Sequence, residues 1–368
     1  MAGGGLLGGA VASLAADSPG LSSEIARAEQ CDAAGRHTEA VDWLVAGVRN
    51  NDLEAITRLG KRLLIGDRAP HLPREGVRFL ADAWGRGGAE AAALLSVCLA
   101  TGMTESPDLV AAWECLITAA VRGWQPAQQQ IRVLAGTAVP IDRMRPASEA
   151  DHWRRVAQGV DLAKWLSVPR SLDLHGDPLL RSYPQFIEPH ISRWIIQRAK
   201  GRLTRALVYD AAVGRTTEHA TRTNTSVSFN FLDTDFICAL VQSRMAACLG
   251  LPFRHFEAMT VLHYDVGEQN AEHFDFVDPN VPDYERHIRE RGQRVVTFLV
   301  YLNDDYAGGE TEFPRLGIRH RGCGGEGFFL VNAFADGRPD PRTLHAGRAP
   351  SSGEKWIVSQ FIKNQPVF

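Results

Sequence analysis

Between residues 22 and 137 the apolar positions fall at helical spacing, and the whole pattern then repeats every 36 residues. Leu44, Leu80 and Leu116 share one register, as do Ala55, Ala91 and Ala127, and likewise Leu59, Leu95 and Ile131. Gly66 aligns with Gly102, while Asn51, Gly87 and Gly123 occupy one turn position, where residues tolerant of a left-handed backbone end a helix. The pattern predicts helix–turn–helix units that cover their apolar faces only by stacking on one another, with alanine at the closest approach. Pro140 to Pro146 interrupts it. DHWRRVAQGVDLAKWL then predicts one connecting helix, and PQFIEPHISRWIIQRAKGRL the first helix of a second domain. From about residue 220 the period changes to two. Phe256, Ala258, Thr260, Leu262 and Tyr264 alternate with Glu257, Met259, Val261 and His263, and RVVTFLVYL and KWIVSQFI are rich in β-branched and aromatic residues. Gly-rich turns such as NDDYAGGE and RGCGGEG separate these runs, as in a sandwich or jelly roll.

The expected architecture is therefore two-domain α + β. Residues 1–21 are a disordered tail, 22–137 an α-helical repeat solenoid, 138–178 a linker with its connecting helix, and 179–368 a jelly roll with supporting helices. A formal net charge of −3 gives no nucleic-acid signal. No stretch approaches the roughly 18 apolar residues of a membrane span. The opening MAGGGLLGGAVASLAAD lacks the basic residue that precedes a signal peptide's apolar run. The six cysteines show no C-x-x-C pair and no framework spacing. A chain of this length needs no disulfides to hold a core, and reduced thiols point to the cytoplasm.

Candidate chemistry lies in the second half. His and Asp two apart on a strand point to one side, and two imidazoles with one carboxylate suit Fe(II) while leaving coordination positions open. The chain holds two such pairs, His263-Tyr264-Asp265 and His273-Phe274-Asp275. A distal His345 stands in TLHAG, and ten residues on Lys355 opens an apolar run. Pro350 to Gly353 would turn a hairpin between them, placing Lys355 one strand from His345. A lysine there either faces water on an edge strand or is buried against an anion.

Taken together, HYDVGEQNAEHFDF, QRVVTFLVYLNDDYAGGETEFP and TLHAGRAPSSGEKWIVSQFIK resemble the prolyl 4-hydroxylase family of Fe(II)/2-oxoglutarate dioxygenases, over roughly residues 180–368. TRTNTSVSF resembles the family's Arg-Thr-Ser segment. LGKRLLIGDRAP, AWGRGGAEAA and AAVRGWQPAQ resemble Sel-like tetratricopeptide-type repeats. The family places Tyr-x-x-Gly nine residues before its first metal ligand, which selects His273, Asp275 and His345 and leaves His263 and Asp265 as strand residues flanking the pocket. By the same resemblance Tyr264, Thr311 and Lys355 bind the 2-oxoglutarate carboxylate, and the fold is a double-stranded β-helix.

On the substrate side, Arg294 matches a family arginine near the peptide, although a fold-stabilising ion pair is an equal reading. Asn270, Phe361 and Lys363 stand where the family commonly has Tyr, Trp and His. Residues 278–292 form a long polar segment expected to act as a lid. The resemblance implies Fe(II), 2-oxoglutarate and O2, with ascorbate as reductant. The reaction it implies is C–H hydroxylation coupled to decarboxylation of 2-oxoglutarate to succinate and CO2. A prolyl residue in a peptide or protein docked by the repeats is the first substrate expectation, and a free amino acid or other small metabolite the second. A non-catalytic sensor or interaction protein is the third, against which the intact triad and Lys355 argue.

Overall fold

The computed structural model describes residues 22–103, 105–136, 148–210, 215–334 and 336–367; the expected tail at 1–21 and the linker stretch 138–147 lie outside the described residues. The N-terminal helices are α1 (Ser23–Ala33), α2 (His37–Arg49), α3 (Leu53–Ile65), α4 (Pro73–Gly85), α5 (Ala89–Thr101), α6 (Leu109–Val121) and α7 (Gln125–Ala135). The starts of α2, α4 and α6 are 36 residues apart, as are those of α3, α5 and α7. Leu44, Leu80, Leu116, Ala55, Ala91 and Ala127 are all buried. The shared turn position has positive φ in each unit, 58° at Asn51, 105° at Gly87 and 85° at Gly123.

The expected single connecting helix is two, α8 (Glu149–Gln158) and α9 (Leu162–Leu166), because Gly159 ends the first and the Asp161 side chain caps the second. Strands then begin earlier than the period-two pattern predicts: β1 (Leu172–Gly176) and β2 (Leu179–Tyr183) pair before α10 (Pro189–Ala199). There follow β3 (Thr204–Arg205), β4 (Val208–Asp210), β5 (Arg215–Thr217), β6 (Thr225–Phe229) and α11 (Phe236–Leu249). Next come β7 (Met259–Tyr264), β8 (Asn270–His273), α12 (Tyr284–Arg291), β9 (Arg294–Tyr301), β10 (Ala307–Gly308) and β11 (Thr311–Phe313). The last strands are β12 (Ile318–His320), β13 (Gly327–Val331), β14 (His345–Gly347), β15 (Pro350–Ser352) and β16 (Lys355–Lys363).

The major sheet has the order β1-β2-β13-β9-β16-β7-β6-β3, and a minor sheet the order β12-β11-β14-β8. This is the double-stranded β-helix. Alternation sorts the side chains of the major sheet. Trp356, Val358 and Ile362 join Val296, Phe298, Val300 and Val261 in a core shared with α10 and α11. On the other face Ile357, Leu299, Tyr301, Leu262 and Tyr264 pack with Phe313 of the minor sheet. The first core continues into the repeats through Trp113, Leu116, Ala127 and Ile131. Trp113 stacks on Phe236 at 5.6 Å, and Gln130 Oε1 accepts from the Phe236 backbone N–H at 2.9 Å. The repeats thus brace the helix-covered face of the sheet, and the opposite face is left for a cavity. The six cysteines are free, and among the described residues no helix is long and apolar enough to cross a membrane.

Candidate metal centre and co-substrate pocket

The site forms where the two sheets face each other. His273 ends β8 and His345 begins β14, and the two are opposed partners in the antiparallel ladder, so their side chains share a face. Their rings lie 4.4 Å apart. Asp275 comes round on the same side two residues later. Its Oδ1 is 3.4 Å from His273 Nε2 and its Oδ2 is 3.3 Å from His345 Nε2. One ligand-type atom from each of the three lies within 4.8 Å of the others.

Backbone carbonyls fix the tautomer of both imidazoles. His273 Nδ1 is 2.7 Å from the Ala271 carbonyl and His345 Nδ1 is 3.0 Å from that of Thr343. A carbonyl only accepts, so each Nδ1 carries the proton and each Nε2 keeps a lone pair for the centre of the site. Burial opposes ionisation of Asp275, but the His345 and His273 imidazoles outweigh it and hold the carboxyl well below the usual range. Burial likewise pushes His345 down, and Asp275 more than reverses it, leaving that imidazole raised.

Lys355 pairs in register with Tyr264 and is 1% exposed. Its ammonium donates to the Gly309 carbonyl at 2.7 Å and lies 5.2 Å and 5.7 Å from the Tyr264 and Tyr301 ring centres. Burial pushes it down to about 7, with Glu310 pulling the other way. Three hydroxyls accompany it. Thr311 Oγ1 is 2.8 Å from the Tyr301 hydroxyl, and burial pushes the Tyr264 hydroxyl up to about 12. Lys355, Tyr264, Thr311, His273, Asp275 and His345 all line one cavity of about 1040 Å³.

Arg294, Asn270, Phe361 and Lys363 line it too. Arg294 makes two 2.8 Å hydrogen bonds to the Glu257 carboxylate and lies 3.9 Å over the Phe361 ring. Lys363 Nζ is 3.6 Å from Glu257 and donates to the Arg291 carbonyl at 2.8 Å. The ion-pair reading of Arg294 is therefore present in the structure. Asn270 Nδ2 stands 3.0 Å from His273 Nε2, beside the triad itself.

The structure departs from the sequence reading in two places. His263 does not flank the pocket. One position from Tyr264, it faces the helix side, where its ring lies tilted 4.3 Å from that of Trp356 and 3.3 Å from Glu354. His345 and Lys355 are not joined by a hairpin. β14 belongs to the minor sheet, β15 pairs with β10, and β16 lies in the major sheet, so the two residues face each other across the cavity. The polar segment 278–292 contains the helix α12, with no buried residue, and Arg286, His287 and Arg291 on it line the cavity. Sequence reasoning also passed over Thr297, whose hydroxyl donates to Asp275 Oδ2 at 2.8 Å, and Tyr301. Their signal was the alternation of RVVTFLVYL, which turns Thr297, Leu299 and Tyr301 to one face.

Fold and site together define a 2OG-Fe(II) oxygenase domain, and residues 259–363 match the 2OG-Fe(II) oxygenase superfamily. This part of the chain is an enzyme domain of the 2-oxoglutarate-dependent dioxygenase class, and its relatives are prolyl 4-hydroxylases. The probable prolyl 4-hydroxylase 10 of Arabidopsis thaliana is 27% identical over 220 residues, covering 54% of this chain and 72% of the relative. The prolyl 4-hydroxylase subunit alpha-1 of Rattus norvegicus is 34% identical over 221 residues, covering 60% of this chain but 41% of that subunit. The helical half is similar to a Sel1 repeat protein from Oxalobacter formigenes, 21% identical with a TM-score of 0.26, over 33% of this chain and 48% of that one.

Proposed function

We propose that the protein hydroxylates a C–H bond of a prolyl residue in a peptide or protein, using Fe(II), 2-oxoglutarate and O2. The observation that carries this reading is a buried ammonium without an ion pair among the described residues, facing two histidines and an aspartate across one cavity. An unpaired buried charge is costly, and a dicarboxylate whose other end reaches the triad removes that cost. The donor set fits the metal: two Nε2 lone pairs and one carboxylate suit Fe(II). In this reading His273, Asp275 and His345 hold the iron, while Lys355, Tyr264 and Thr311 hold the far carboxylate of the co-substrate.

When bound, iron and 2-oxoglutarate supply oxygen activation, with release of succinate and CO2. Ascorbate serves as the reductant that keeps the iron ferrous. The protein's own contribution is placement. The carbonyls of Ala271 and Thr343 aim the imidazoles, Leu262, Leu299 and Ile357 line a dry wall between lysine and triad, and Arg294, Phe361 and Lys363 form the substrate side. The repeats are proposed to bind the protein that carries the substrate. Helices α1 to α4 would offer that surface, since α5, α7 and α9 pack on α11 and Trp113 of α6 stacks on its Phe236.

Hydroxylation of a free amino acid or other small metabolite is the second reading. It is favoured by Glu257, whose carboxylate holds both Arg294 and Lys363, a paired wall that a zwitterion can join. Succinate release with Fe(II), 2-oxoglutarate and ascorbate tests both readings. Turnover stimulated by a proline-containing peptide and not by free proline is expected. Stimulation by free proline alone selects the metabolite reading, and succinate formation under no condition defeats both.

A further inference from the structure

Behind the triad, two buried polar residues from the major sheet reach Asp275. Thr297, 1% exposed on β9, donates its hydroxyl to Asp275 Oδ2 at 2.8 Å. Asn332, just after β13 and fully buried, donates its Nδ2 to Thr297 Oγ1, also at 2.8 Å. The direction of this chain is forced. A metal-ligating carboxylate is ionised and only accepts, so the single hydroxyl proton of Thr297 must point at Asp275. Thr297 Oγ1 can then only accept, and the Asn332 amide must present its NH2 group. The amide's other end shows the consequence: Asn332 Oδ1 is buried without a hydrogen-bond partner. Turning the amide over would put two acceptors face to face and break the chain. The backbone holds Asn332 in place, its N–H bonded to the Val295 carbonyl at 2.8 Å and its carbonyl to the Asp340 N–H at 2.9 Å.

We infer that Thr297 and Asn332 are positioning residues for the metal centre, a two-member relay that sets the rotation of the Asp275 carboxylate. The terminal torsion of aspartate is broad and soft, and the two histidines alone do not fix it. With one lone pair of Oδ2 taken by Thr297, the remaining lone pairs are turned toward His273 and His345. The relay also couples the sheets, because Asp275 follows β8 of the minor sheet while β9 and β13 are neighbours in the major one. This inference rests on the metal reading of the triad and adds to it the residues that pre-organise the carboxylate.

The test uses Co(II) on the full chain, by calorimetry and by its visible ligand-field spectrum, with no co-substrate present. Thr297→Val keeps shape and removes the donor; it is expected to weaken Co(II) binding about tenfold, at the lower end for loss of an outer partner of a metal ligand, and to alter the spectrum. Thr297→Ser should restore both. Asn332→Leu should move affinity in the same direction, and the double variant should be no weaker than Thr297→Val, because the relay is one chain. Asn332→Leu also reads the relay from its far end should Thr297→Val fail to fold. Native affinity and spectrum in Thr297→Val, in a protein whose His345→Ala variant has lost Co(II), would overturn the relay alone, as would additive losses in the double variant. Failure of the unaltered chain to bind Co(II) would instead overturn the metal reading on which the relay depends.

Discussion

Lys355 carries its charge against its surroundings. Held near 7 by burial, against 10.5 for an exposed lysine, it is mostly neutral in the ligand-free protein above neutrality. The unfolded chain then binds more protons between about pH 7 and 10.5, so this residue makes stability rise with pH across that window. A bound carboxylate needs the ammonium and reverses the preference. Binding of 2-oxoglutarate is therefore expected to take up a proton and to weaken by up to about tenfold per pH unit above 7. Calorimetry in buffers of unlike ionisation enthalpy measures both effects. A flat profile, or one unchanged in Lys355→Arg, would contradict a neutral ligand-free lysine. At this scale much was legible: a lysine in an apolar strand and a histidine two before an aspartate are visible as letters. Thr297 and Asn332 were not, because they act through contacts 22 and 35 residues apart in sequence, and nothing in a threonine's near neighbours announces such a partner.

Strands explain why the two H-x-D pairs have different surroundings: His273 and Asp275 meet His345 in the cavity, whereas His263 and Asp265 cluster with Glu268 outside it. Tyr264 faces the cavity, so His263, its immediate neighbour, must face the helices, where Trp356 and Glu354 occupy it. His345→Ala should abolish binding of Fe(II) or Mn(II), while His263→Ala should leave it within about twofold, apart from a small stability loss. Metal analysis after dialysis reads the difference, and the reverse pattern would mean the wrong pair has been chosen. The same logic shows what the elements hid. Residues 350–352 form the strand β15 instead of the expected turn, and only Gly353, at φ 73°, bends the chain before β16; turn-prone residues alone do not say which strand comes next. DHWRRVAQGVDLAKWL looked like one helix because its apolar spacing runs through Gly159, whereas the Asp161 cap starts a second. The repeat period was the clearest signal, since three copies of one unit repeat both their apolar positions and their turn residues.

For the molecule as a whole, the shared core is the feature that alters expectation. Repeats commonly read as detachable modules, yet here Trp113 stacks on Phe236 and Gln130 accepts from the first residue of α11, the helix that backs the catalytic sheet. Gln130→Ala leaves a buried N–H without a partner and should cost about 1–3 kcal/mol. That loss should appear equally in far-ultraviolet dichroism, dominated by the repeats, and in the aromatic signal of the β half, as one transition. Two separated transitions would show that the halves fold independently.

The order of strands has one more consequence. β16 lies between β9 and β7 in the sheet although it follows both in the chain by more than fifty residues. Until it inserts, the strand bearing Tyr264 and the strand bearing Thr297 have no common neighbour, and its insertion brings Lys355 with it. Such late, long-distance zippering is the slow kind of assembly. It also means the barrel cannot shut without Lys355: a chain stalled before that step has an open seam, and a chain past it already carries the lysine inside the cavity.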